Sequence, residues 1–312
     1  MTAEGRFAPT LDNLTEDAFS IARLQEKRAG YLSELAEALL AAAVEAGSDP
    51  APRALLSAIS ALLPACEQPS PYDPAMPARH APLWQGALSA VDTLDRAWLA
   101  LAVRRQIEHR LGRLLTLAEV GDGVLPLPER ERVVYVKNPL ADAAYERLAP
   151  LLGAPTVGNR QSFRELFDDV ENHYADYAIL PLFSDGVAVQ SVSSLFYDYG
   201  LKLCAASAVP TEEGEILFGL VGRGALLHRP PEYFTFHILP ERGGAPVALL
   251  AAAAPLGTRI TRLDPVPLTY DPSQVGYRVI AAAEDPDAFV SLSVYLSLYA
   301  PGYTGYGFYA CL

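Results

Sequence analysis

The sequence predicts a multidomain chain of mixed α/β and α+β class: an N-terminal helical bundle, a small α/β lobe and a C-terminal ferredoxin-like βαββαβ unit. Three observations carry this. Apolar residues recur every three or four positions through much of residues 1–117, a spacing that gathers them on one helical face. From 132 to 223 short apolar runs alternate with helical patterns, as in a sheet covered by helices. From Tyr233 onward the order is strand, helix, strand, strand, helix, strand, the split βαβ arrangement.

In the first segment, Leu14, Ala18, Ile21, Leu32, Leu35 and Leu39 form one stripe over 13–47, ended by Gly47 and Pro50. A shorter helix covers 52–64, and the Pro-rich stretch 68–82 reads as a loop. Val91, Leu94, Trp98, Leu101, Gly112 and Leu115 extend the same spacing through a helix at 84–117. Residues 118–131 mix glycine, proline and charge without period and read as a linker.

In the lobe, Val133 to Val136 and Tyr177 to Leu182 are apolar runs, and Ala141 to Leu152 and Ser162 to Asn172 are helix patterns. Leu195 to Tyr199 and Leu201 to Ala206 add a helix end and a strand, and the segment around 216–223 closes the set. In the last unit, 233–312, the expected elements are strand 233–239, helix 244–256, strands 259–264 and 277–283, helix 287–299 and strand 304–311.

Composition narrows the function. At 312 residues and 51% hydrophobic, the chain can bury several cores. A formal charge of -13 argues against nucleic acid or an anionic membrane as partner, since both require clustered basic surface. No apolar run is long enough to span a bilayer, and the first residues lack a secretory pattern. The three cysteines, Cys66, Cys204 and Cys311, lie far apart without paired spacing, as expected for reduced core residues of a cytoplasmic protein. The five histidines show no ligand spacing, so neither metal nor cofactor is expected.

Two stretches resemble the prephenate dehydratase family. Ser162-Phe163-Arg164-Glu165-Leu166-Phe167-Asp168-Asp169-Val170-Glu171, followed by Ala175-Asp176-Tyr177 and ending Leu180-Pro181, is similar to that family's Ser-Phe-x-x-Val-Phe-x-x-Val-Glu helix leading through Ala-Asp-Tyr into a strand. Gly244-Ala245 through Ile260-Thr261-Arg262-Leu263-Asp264-Pro265-Val266-Pro267 resembles the family's ACT domain, from its Gly-Ala-Leu helix start to Glu-Ser-Arg-Pro. The resemblance implies a phenylalanine or other small carboxylate site at Gly244, Ala245 and Asp264, on a homodimer interface formed by that domain. Asp264, Pro265 and Val266 replace Glu-Ser-Arg, which puts the ligand's identity in question.

The departures bear on activity. The family strand opens Thr-Arg-Phe, with the threonine catalytic and the arginine on the substrate, whereas this chain has Ile216-Leu217-Phe218. The family's Gly-Pro-x-Gly-Thr-Tyr-Ser turn becomes Lys137-Asn138-Pro139-Leu140-Ala141-Asp142-Ala143, and the stretch between Leu203 and Ile216 is too short for the second lobe. Dehydrating and decarboxylating a dicarboxylate needs donors for both carboxylates and an acid for the leaving hydroxyl. The expected reading is therefore a truncated, degenerate lobe acting as a regulatory or binding protein. An altered reaction using Lys137, Asp142, Ser184 or Asp185 is the lesser alternative.

A long-short-long helix set ahead of the linker matches the chorismate mutase domain that many dehydratases carry, and Ala90 to Arg96 through Arg104-Arg105-Gln106-Ile107 weakly resembles the mutase's first helix. Continuing the apolar stripes puts Gln25 and Arg28 between Ile21 and Leu32, and Arg105 and Glu108 between Leu101 and Gly112, all facing the bundle interior. Chorismate rearrangement requires cations on two carboxylates and a donor near the breaking ether. Arg28, Arg105 and Gln25 have that chemistry. The structural alternative is an arginine paired with Glu108 to balance buried charge, or an arginine snorkelling at the bundle rim.

Overall fold

The computed structural model describes residues 11–47, 49–67, 93–121, 131–224, 229–239, 246–267, 275–300 and 302–312. The long helices α1 (Leu11–Glu45), α2 (Pro52–Glu67) and α3 (Thr93–Leu111) are followed by a single turn, α4 (Leu117–Val120). The Pro-rich loop at 68–82, the stretch 84–92 and most of the expected linker lie outside the described residues.

The middle of the chain runs β1 (Arg132–Val136), α5 (Pro139–Leu148), β2 (Thr156–Arg160), α6 (Phe163–Glu171), β3 (Tyr177–Ser184), β4 (Val187–Ala188), α7 (Gln190–Tyr199), β5 (Lys202–Pro210) and β6 (Glu215–Gly222). Local chemistry sets the helix ends. Asn138 caps α5 with Pro139 behind it, the Ser162 hydroxyl accepts from the Glu165 amide to start α6, and Gly200 ends α7 at φ 62. The sheet order is β2-β1-β3-β6-β5, with β4 on β3. β1 runs parallel to β2 and β3, while β6 is antiparallel to β3 and β5.

The chain ends with β7 (Tyr233–Ile238), α8 (Pro246–Ala253), β8 (Arg259–Pro267), β9 (Val275–Ala282), α9 (Asp287–Tyr299) and β10 (Thr304–Tyr309). Its four strands form an antiparallel sheet in the order β10-β7-β9-β8. Both faces of this sheet are covered. Phe234, Phe236, Val279 and Ala281 pack against α8 and α9, whereas Ile280, Tyr306 and Tyr309 join the core beneath α6 and α7.

The two sheets meet edge to edge. Past β10, the Ala206 amide donates to the Ala310 carbonyl at 3.1 Å and the Leu312 amide to the Ala206 carbonyl at 2.9 Å, so the last residues add onto the outer edge of β5. Gly307 makes this approach possible. It has φ 138, and a Cβ there would lie 2.1 Å from the Leu203 carbonyl oxygen.

Two features differ from the sequence reading. β2 (Thr-Val-Gly-Asn-Arg) has no apolar alternation to reveal it and is mostly exposed; backbone pairing with β1 makes it a strand. The bundle also has no core of its own: Leu39, Leu55, Ile59, Leu99 and Ile107 share one apolar cluster with Phe234, Phe289 and Phe308. Its helices pack on α8 and α9, placing residues 1–117 and 233–312 in contact across the intervening lobe's sequence.

Candidate functional site

β1 is where the first sheet changes direction. The chain leaves it through α5 to β2 on one side and returns through α6 to β3 on the other, which opens a crevice beyond the carboxyl ends of β1 and β3, where open parallel sheets hold ligands. A cavity of about 260 Å³ occupies this place, lined by Val136, Asn138, Leu140, Phe163, Ile216 and Phe218, with Ala141, Ile179 and Pro181.

Among these described residues Asn138 is the one polar side chain, and it is already occupied. Its Oδ1 accepts from the Leu140 and Ala141 amides at 3.1 and 2.9 Å, and its Nδ2 donates to the Val136 carbonyl at 3.1 Å. Amides at the start of α5 that could have received an anion therefore face their own cap. Ile216 lines the cavity, while Leu217, one residue on, points to the other face of the sheet and packs in the cluster around Phe183.

The polar residues weighed for an altered reaction are held elsewhere. Asp142 accepts from the Tyr135 hydroxyl at 2.7 Å, and burial together with that bond pushes Tyr135 up to about 12. Asp185, at φ 48, accepts from the Glu215 amide at 3.0 Å. Ser184 pairs in the ladder with Ile216, and Lys137 is exposed. None of the four lines the cavity.

β6 leads into Arg223, whose Nη1 donates to the Val170 carbonyl at 2.7 Å and whose Nη2 lies 3.6 Å from Asp176. Asp176 also accepts from the Arg132 amide and side chain at 2.9 to 3.2 Å. Burial alone would raise Asp176, but these donors outweigh it and hold the carboxyl below its usual range.

In the bundle, the expected inward placement of Gln25, Arg28 and Arg105 is corrected. Residues 22–31 of α1 are all exposed and the buried run begins at Leu32, so Gln25 and Arg28 have no interior to face; Arg28 instead pairs with Asp95 at the start of α3. On α3 the buried face is Ala97, Leu99, Ala100, Val103, Arg104 and Ile107, with Trp98 47% exposed. Arg105 is therefore exposed, and its neighbour Arg104 points inward. The reason is that α3 packs between α1 and the pair α8 and α9, so neighbours on more than one side, and not a single apolar stripe, decide which of its residues are buried. Glu108 is mostly buried and accepts from Arg104 Nε at 2.8 Å, not from Arg28 or Arg105.

Gly244 and Ala245 lie outside the described residues. Asp264 is on β8, where its Oδ2 accepts from Arg262 Nε at 2.6 Å and Arg278 Nη2 at 2.9 Å. Burial would raise this carboxyl, and the two guanidiniums more than offset it, leaving it below the usual range. The face of β8 that carries Asp264 meets the α/β lobe: Arg262 also donates to the Gly186 carbonyl, and both arginines stack on the Phe183 ring, at 4.3 and 5.1 Å. The sequence reading missed Arg278, although a lone arginine in the apolar run Tyr277 to Ala283 was a visible signal.

The chain is thus a mixed α/β protein of helices and two sheets. No protein-family model matches it, and no curated protein does. Among solved structures it is similar to prephenate dehydratase from Streptococcus mutans, at 18% identity and TM-score 0.48 over 58% of this chain and 98% of that one. It is also similar to prephenate dehydratase from Arthrobacter aurescens in complex with L-Phe, at 14% identity and TM-score 0.46 over 57% and 90%. A third likeness is to GqqA, described as a novel type of quorum quenching acylase, at 20% identity and TM-score 0.44 over 58% and 95%. Among the described residues no helix is long and apolar enough to cross a membrane.

Proposed function

We propose that this chain is a prephenate dehydratase-like protein without the dehydratase reaction, acting in aromatic amino acid metabolism as a regulatory or ligand-binding protein. One observation carries the reading: the switch-point cavity of about 260 Å³ presents Ile216, Leu140 and Phe218 where a dicarboxylate would need cations and an acid. Burying either carboxylate against those walls without a partner would be costly, and among the described residues no general acid lines the cavity. Purified protein incubated with prephenate should form phenylpyruvate only at the spontaneous rate, and the double substitution Ile216→Thr and Leu217→Arg should not raise it, because Leu217 points to the other face of the sheet. Formation above the background, abolished by filling the cavity with Ile216→Trp, would sink the proposal.

The βαββαβ unit is the regulatory part of the same reading, an ACT-like module that makes a cytoplasmic homodimer and holds a small carboxylate or amino acid. Among the described residues β8 pairs only with β9, which leaves its outer edge open to a second chain. With Asp264 occupied by two arginines, phenylalanine should bind weakly or not at all. Calorimetry with aromatic amino acids tests the ligand; sedimentation at micromolar concentration tests the dimer, and a monomer there would remove it.

A further inference from the structure

A second cavity, of about 30 Å³, lies on the opposite side of the first sheet, between the α/β lobe and the β7-β9-β8 face of the second sheet. Phe183, Phe196, Tyr306 and Val266 form its apolar walls, and Arg278 supplies its charge. The Arg278 side chain is 12% exposed, Nη1 donates to the Ser193 hydroxyl at 2.7 Å and Nη2 to Asp264 at 2.9 Å, while Nε is buried with no acceptor among the described residues.

The local charge does not balance. Arg262 and Arg278 share the carboxylate of Asp264, leaving one positive charge over, and among the described residues no Asp or Glu lines the cavity itself. His237, also in the lining, adds nothing near neutral pH, since burial pulls it down to about 4. A second donor is present: the Thr235 and Tyr309 hydroxyls share one hydrogen bond at 3.3 Å, which leaves one O–H over. An excess cation with an unused N–H in apolar surroundings favours an anion.

We propose that this cavity binds a short-chain monocarboxylate of two or three carbons, its carboxylate on Arg278 Nε and the hydroxyl pair, its alkyl group against Phe183, Phe196 and Val266. The small volume limits the ligand to a few heavy atoms. This site is independent of the switch-point crevice and of the reading built on it.

The test is calorimetric and NMR titration of the full chain with acetate and propionate, and with acetamide and propionamide as neutral counterparts. Saturable propionate binding at one site per chain is expected, with no binding of the amides. Arg278→Met should weaken it by at least about tenfold. Asp264→Asn, which raises the local charge, should tighten it. If Arg278→Met fails to fold, Val266→Phe, which fills the cavity from the half-buried edge strand, should abolish binding in a folded chain. Equal binding of propionamide, unchanged affinity in Val266→Phe, or no saturable binding of either acid would overturn the proposal.

Discussion

Arg104 and Asp287 connect the first segment of this chain to its last helix: Nη2 of Arg104, on α3, donates to Asp287 Oδ1 at 2.6 Å in the first turn of α9. The same guanidinium donates to the Ser291 hydroxyl at 2.7 Å, the Asp287 carbonyl at 3.1 Å and Glu108 at 2.8 Å. Burial works against this charge, but the Asp287 and Glu108 contacts outweigh it and raise Arg104 above its ordinary value.

The first prediction follows. Arg104→Met should destabilise the chain by about 3 kcal/mol, because it strands the 13%-exposed Glu108 and removes a join between helices. Arg105→Met, one residue on at an exposed position, should change stability by less than about 0.5 kcal/mol. Urea denaturation of both variants measures the difference; equal effects would show that α3 does not present Arg104 to α9.

Gly307→Ala should be among the most damaging single-methyl changes in the chain. The added carbon meets backbone at Leu203, at 2.1 Å from O and 2.8 Å from N, and φ 138 is unfavourable for any L side chain. A loss of at least about 2 kcal/mol is expected, together with faster amide exchange at Ala206 and Leu312, whose bonds tie β5 to the C-terminal residues. Exchange at those amides equal to the parent's would separate Gly307 from the sheet junction.

His237 should make stability depend on pH in a definite window. Burial pulls it from 6.5 to about 4, so between those values the unfolded chain holds more protons than the folded one. Stability is full above about pH 6.5 and falls as pH drops towards 4, by on the order of 3 kcal/mol. His237→Gln should flatten that window in denaturation curves taken across it, and an unchanged slope would mean that the imidazole charges in place.

Asp176 acts lower on the scale. Its folded carboxyl is held below its usual value, so its contribution is complete above about pH 4 and is lost as pH falls through the folded value. Asp176→Asn should reduce stability at neutral pH and lessen the further loss on acidification below about pH 4. If the parent and variant lose stability in parallel there, Arg132 and Arg223 are not what lowers this group.

Much of the fold was legible because local pattern and local structure coincided. Ser162 capping α6, Asn138 and Pro139 opening α5, and the strand and helix order after Tyr233 are all properties of neighbouring residues. The character of one cavity wall was legible too, since Ile216 can neither donate a proton nor carry charge wherever the strand places it. Less local features were not. The edge strand at 156–160 owes its conformation to β1, and the choice of Arg104 over Arg105 turns on which side of a helix of mixed apolar and charged residues finds a neighbour.

Residue types thus indicated much of the element order and put an aliphatic side chain at Ile216, because periodicity and side-chain functional groups belong to the chain itself. Contact between distant segments decided the rest: that the bundle closes over α8 and α9, that Asp264 is neutralised by Arg262 and Arg278, and that an excess guanidinium charge lies between the two sheets. Such pairings join distant residues, Arg104 and Asp287 being 183 positions apart, and no spacing within one helix or strand encodes which distant partner a buried charge will meet.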